Sequence, residues 1–119
     1  MIQQQLEIQL SPYAGLYDIV VPQDDIYRQL DKLVDFSFVY EEIGKNYSWK
    51  KGRFAEDPVR MFKYLLVKII DRLSDRRVVA NALVNLSLKR FLGLSPEETN
   101  IIDASTLSKF RKLRFENVD

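Results

Sequence analysis

The sequence predicts an all-α protein: a compact multi-helix bundle with a helix-turn-helix-like part and an irregular N-terminal arm. Three observations predict it. Apolar residues recur at helical spacing in several segments, and residues that accept backbone N–H bonds stand just before those segments. Only four Gly and four Pro punctuate 119 residues that are 46% hydrophobic and 29% charged, the balance of a folded domain. The length suits one domain, without room for a catalytic domain beside a separate binding domain. Residues 1–119 therefore read as a single unit, an extended arm over 1–23 followed by a helical body over 24–119.

The arm is predicted from the alternation Leu6-Glu7-Ile8-Gln9-Leu10 and from Ser11-Pro12, Gly15 and Pro22, which suggest extended segments and turns packed along the body. Asp24 is expected to cap a first helix with Ile26, Leu30, Leu33 and Val34 on its apolar face. A short second helix follows, with Phe36, Val39, Tyr40 and Ile43 on one face and Gly44 ending it. Residues 45–56 form an aromatic and basic loop. Asp57-Pro58 is the strongest helix start in the chain, because Asp caps and Pro suits the first helical position, where no donor is needed. The helix after it is apolar over most of its circumference, with Arg60, Lys63, Lys68 and Asp71 as a narrow polar stripe, so it should be central. Ser74 caps the next helix, with Val78, Val79, Ala82, Leu83 and Leu86 facing inward, and Phe91-Leu92-Gly93-Leu94 closes it on a left-handed turn. Ser95-Pro96-Glu97-Glu98 reads as a capping box opening a brief helical turn. Asp103 or Ser105 starts the last helix, which can dock through Leu107, Phe110 and Leu113 or Arg114.

Composition removes several chemistries. There is no Cys and no His, so thiol nucleophiles, disulfides, imidazole bases and thiolate or imidazole metal sites are excluded. The adjacent acids Asp24-Asp25, Glu41-Glu42, Glu56-Asp57 and Glu97-Glu98 are mostly explained by helix starts and surface faces, and none makes a convincing two-metal site. Neither a signal peptide nor a membrane span is expected, since the most apolar stretch, Tyr64-Leu65-Leu66-Val67, runs straight into Lys68. A soluble cytoplasmic protein, without a small-molecule substrate, is the expectation.

The formal net charge of +1 hides an asymmetry. Residues 1–57 hold six Lys/Arg against ten Asp/Glu, and residues 58–119 hold twelve against seven, so the halves carry −4 and +5. Such a split raises the prospect of a polyanion-binding face, although cations scattered over solvated helices give the same count. Placement narrows the choice. The last helix presents Ser105, Thr106, Ser108, Lys109, Arg111 and Lys112, with no acid between Ala104 and Phe115. Hydroxyls followed by cations are the groups that bond phosphate oxygens and base edges when a helix lies in a DNA groove. Cations also favour a helix C-terminus through its dipole, so both readings stand at this point. Arg76 and Arg77 are a second candidate pair, pointing about 100° apart on their helix and also suited to pairing with Asp75 or Asp71. Lys50, Lys51 and Arg53 beside Trp49 are a third, open to phosphate contact or to simple solvation around a packed Trp.

In order along the chain, Leu10-Ser11-Pro12, Gly15-Leu16, Val21-Pro22, Val34-Asp35-Phe36-Ser37-Phe38, Tyr47-Ser48, Gly52-Arg53 and Asp57-Pro58-Val59 are followed by Leu73-Ser74-Asp75-Arg76. Lys89-Arg90-Phe91-Leu92-Gly93-Leu94 and Asp103-x-Ser105-Thr106-Leu107-Ser108-x-Phe110-Arg111 complete the set. This ordered set resembles the N-terminal domain of bacterial insertion-sequence transposases of the InsH type. Phe54 and Leu88-Lys89-Arg90 are local departures from that pattern. The resemblance implies a helical domain ahead of an RNase H-like DDE catalytic domain, which would lie after Asp119 and hold a divalent metal such as Mg²⁺; no cofactor is expected in this chain. It also implies binding of double-stranded DNA at the element's terminal inverted repeats, in a bacterial protein that works at the nucleoid. The alternative is a protein-interaction domain that forms a homodimer or docks on the catalytic domain.

Overall fold

The computed structural model describes residues 8–42 and 57–114, and all regular structure among them is helical. In chain order the helices are α1 (Leu16–Val20), α2 (Ile26–Leu33), α3 (Phe38–Glu42), α4 (Pro58–Ile70), α5 (Asp75–Val84), α6 (Leu86–Leu92) and α7 (Ala104–Arg114). Two of them organise the rest. Helix α4 packs against α3, α5, α6 and α7, and α6 packs against α1, α2, α4 and α5.

The central place of α4 follows from its sequence. The Asp57 carboxylate accepts the Val59 N–H at 3.1 Å, Pro58 takes the first helical position, and Val59, Met61, Tyr64 and Val67 are almost fully buried. It ends on Arg72, a non-glycine residue at φ 55°, with the Leu73 N–H closing back on the Lys68 carbonyl at 2.9 Å. A side chain there costs about 1 kcal/mol. Ser74 then caps α5 by accepting the Arg77 N–H.

Several local expectations change, among them Leu83 on α5, which is 43% exposed rather than turned inward. The α2 cap is Asp25 rather than Asp24: its carboxylate accepts the Tyr27 and Arg28 N–H groups and one bond from the Ser87 hydroxyl shared between its two oxygens, which ties α2 to α6. The buried side of α2 consequently holds Tyr27 and Arg28, while Ile26 and Leu33 face solvent. The segment after Ser74 is two helices, because Asn85 both ends α5 and caps α6 by accepting the Leu88 N–H. The 95–99 segment is a single turn. Glu98 spends its carboxylate on the Asn100 N–H, and the Pro96 and Glu98 carbonyls accept from the Lys89 ammonium instead of opening a helix.

In the arm, residues 8–10 and Leu16–Val20 are helical rather than extended. Among the described residues no neighbouring strand offers backbone partners, so the chain closes its bonds locally through turns. The arm still lies on the body. Tyr17 and Val21 are buried, and the Tyr17 hydroxyl donates to the Leu94 carbonyl. Asp103 starts α7, accepting the Ser105 N–H at 3.1 Å, and Leu107 and Phe110 enter the core. The expected contributions of Ile43, Gly44, Leu113 and Arg114 lie outside the described residues and side chains.

Candidate nucleic-acid interface

The cations of the second half divide into two sets. The inward set gathers around the end of α6, where Gly93 at φ 80° turns the chain and leaves the carbonyls of residues 91–94 without helical donors. Side chains from elsewhere supply them. Lys63 Nζ donates to the Phe91 carbonyl at 2.9 Å, and Arg60 donates to the Leu92 carbonyl at 2.8 Å and the Gly93 carbonyl at 3.1 Å. Tyr17 takes the Leu94 carbonyl. Lys63 is 2% exposed, bonds Asp31 at 2.9 Å, and lies 4.7 and 4.9 Å from the ring centres of Phe91 and Phe36. Burial pulls its pKa below the ordinary 10.5, with the Asp31 carboxylate opposing that shift. Arg90 reaches the other Asp31 oxygen at 3.5 Å, and Lys89 is buried on the carbonyls of 96 and 98. The expected polar stripe of α4 is therefore largely an internal feature: Arg60 and Lys63 act as donors to a helix end about thirty residues away in sequence.

A second internal contact joins three helices. Arg111 Nη2 on α7 donates to Asp75 Oδ2 at 2.9 Å, and Lys68 Nζ on α4 stands 3.8 Å from Asp75 Oδ1 at the start of α5. This clasp sets the first turn of α5, with Arg76 and Arg77, beside the last turns of α7.

The outward set is what remains. Arg72, Arg76, Arg77, Lys109 and Lys112 are exposed. Ser105, Lys109 and Lys112 fall at i, i+4 and i+7 on the exposed side of α7, opposite the buried Leu107 and Phe110. The Ser105 hydroxyl is already engaged, donating to Asp103 Oδ2, and holds that carboxyl below the usual range. Thr106 and Ser108 are half-buried. Of the residues expected to contact DNA, Arg76, Arg77, Lys109 and Lys112 are exposed on the two helices that the Asp75–Arg111 contact joins, and Arg111 is half-buried on that contact. Lys50, Lys51 and Arg53 lie outside the described residues. Sequence reasoning missed Arg60, Lys63 and Lys89 as internal donors. Only Lys89 and Arg90 left a local signal, as cations in the last turn of a helix.

The family model described as "Transposase domain (DUF772)" matches residues 16–113, nearly all of the described chain. The chain belongs to this transposase domain family. The match includes both the helix-end carbonyl cluster and the α5–α7 clasp of the transposase domain. No curated protein and no solved structure matches it. Among its described residues, no helix is long and apolar enough to cross a membrane.

Proposed function

We propose that this transposase domain binds double-stranded DNA at the terminal inverted repeats of a bacterial insertion sequence, as the non-catalytic N-terminal part of an InsH-type DDE transposase. In this reading it works in the cytoplasm at the nucleoid, and the divalent metal of the reaction belongs to a separate catalytic domain. Helices α5 and α7, which pack on each other, carry the DNA-facing side chains in this reading. Lys109 and Lys112 lie along a groove, Arg76 and Arg77 hold adjacent phosphates, and Ser105 marks the entering end of α7.

The observation that supports this best is the sorting of charge. Asp31, Asp75 and backbone carbonyls engage Arg60, Lys63, Lys68, Lys89, Arg90 and Arg111, and four of the exposed cations that remain among the described residues of the second half, Arg76, Arg77, Lys109 and Lys112, lie on α5 and α7. Four phosphate contacts predict a salt slope near −3.6, at about 0.9 per contact. The test is a titration against the element's terminal repeat and a scrambled duplex at two salt concentrations. Lys109→Gln/Lys112→Gln should weaken binding to both duplexes and make the slope shallower by about 1.8. A folded double variant with unchanged affinity and slope overturns the assignment of α7.

A second reading, a protein-interaction domain, has an observation of its own. Phe62, Leu65, Leu66 and Ile69 line an apolar groove of about 370 Å³ between α4 and α7, with Lys68 and Arg111 at its edge, and Ile69 is 71% exposed. Such a groove suits a second subunit or the catalytic domain. Self-association in sedimentation, abolished by Ile69→Glu, together with no DNA affinity at low salt, would favour it.

A further inference from the structure

A carboxylate lies at the contact between the two helices proposed to face DNA. Asp75 is the first residue of α5, directly followed by the exposed Arg76 and Arg77, and it bonds Arg111, which is directly followed by the exposed Lys112. Its side chain is 18% exposed, and Oδ1 is buried without a hydrogen bond, facing the Lys68 ammonium at 3.8 Å. Judged by charge alone, an acid here works against a polyanion. Judged by geometry, it is the ion-pair joint between the two helices that carry the free cations.

We infer that Asp75 is a positioning residue for DNA binding: through Arg111 it holds α7 against the start of α5, so that Lys109 and Lys112 stand in register with Arg76 and Arg77. This rests on the DNA reading above. The two helices meet through one charge-assisted hydrogen bond, Arg111 Nη2 to Asp75 Oδ2 at 2.9 Å, with the Lys68 ammonium 3.8 Å from the other carboxylate oxygen, so the contact holds the helices at a fixed separation. Loss of the joint lets α7 pivot on Leu107 and Phe110, its buried anchors. The cations then no longer address neighbouring phosphates together, and affinity falls even though the surface has become more positive.

The sign of the effect separates this role from simple electrostatics. Removing an acid near the interface should tighten binding and steepen the salt slope; removing a joint should weaken binding. The experiment titrates the full 119-residue chain with a short fluorescein-labelled mixed-sequence duplex, following anisotropy, with helicity checked by circular dichroism. Asp75→Asn is expected to weaken binding by roughly threefold to tenfold, in the range of couplings between contacting residues. Asp75→Glu, which keeps the carboxylate, is expected to restore most of it. In an Arg111→Gln background, Asp75→Asn should cause no further loss. Where Asp75→Asn alone does not fold, Asp75→Asn/Arg111→Gln takes its place: it has the net charge of the native chain and leaves no charge of the pair unmatched, and it is expected to bind more weakly than the native chain. Equal or tighter binding by Asp75→Asn, failure of Asp75→Glu to restore it, further loss in the Arg111→Gln background, or native affinity in the double variant each overturns the inference. A native chain that does not bind the duplex at low salt overturns the DNA reading itself, which is a separate result.

Discussion

Replacing Arg60 by Met tests whether the cations of α4 serve the fold rather than the surface. Arg60 is half-buried and donates to two carbonyls at the turn after α6, Leu92 at 2.8 Å and Gly93 at 3.1 Å, both on buried residues. Met keeps most of the aliphatic stem, so the packing loss is small. A hydrogen bond to a charged group is worth about 1.5–3 kcal/mol, and a carbonyl left buried without a donor costs about 1–3 kcal/mol. Arg60 is partly open to water, which can replace some of this, so about 1 kcal/mol per bond is the working figure. The sum is about 2 kcal/mol. At about 4 °C per kcal/mol for a chain of this size, Tm should fall by about 8 °C. Thermal unfolding followed by far-UV circular dichroism measures that shift. Duplex titration at a temperature where both proteins are folded should return affinities within about twofold, because Arg60 is not among the free cations. A Tm change below about 2 °C, or a large loss of DNA affinity at unchanged Tm, would refute the division of cations.

Three further outcomes follow from local geometry. Gly93→Ala places a side chain at φ 80° and should cost about 1–2 kcal/mol, seen as a lower urea midpoint at constant slope; an unchanged midpoint would mean that the turn can adopt another conformation. Asp25→Ala removes the α2 cap and the partner of Ser87, and should cost about 2 kcal/mol, with Ser87→Ala costing less. Alkaline stability should be set by tyrosines. Burial raises the hydroxyl pKa values of Tyr17, Tyr27 and Tyr40 above the ordinary 10.0, so above that pH the native state holds protons that the unfolded state has lost. Their stabilisation is complete below pH 10.0 and is lost as pH rises beyond it. Lys63 has the opposite sign: with its pKa lowered, stability rises with pH just below the ordinary 10.5. Tyrosinate absorbance should therefore include a component that appears only as helicity is lost, and smooth ionisation of these tyrosines in the folded state would contradict their burial.

Much of this arrangement was legible in the sequence because it is local. Asp57-Pro58, Ser74 and Gly93 act within a few residues of themselves, and the structure has each in the expected role. Leu107 and Phe110 were legible from helical period. The misread positions are those where two local solutions compete. Asp24 and Asp25 are both capping residues, and only the pairing of Asp25 with Ser87 on α6 selects between them. Asn85 can sit within a helix or cap the next one. Ser95 and Glu98 fit a capping box until Lys89 takes the nearby carbonyls.

The sequence by itself determined the helical class, the central place of α4, the docking face of α7 and the excess of basic residues after Asp57. Each depends on period, capping chemistry or counting, which act along the chain. Which of those basic residues are free was decided only by the tertiary structure. A lysine that bonds a carbonyl twenty-eight residues away, as Lys63 does with Phe91, has the same codon-by-codon appearance as one in solvent. Its partner is a backbone group that every residue type carries, so no residue pattern announces the contact. The charge of the second half was visible from the start; its division between a buried helix end and an exposed face came from the packing of α4, α6 and α7.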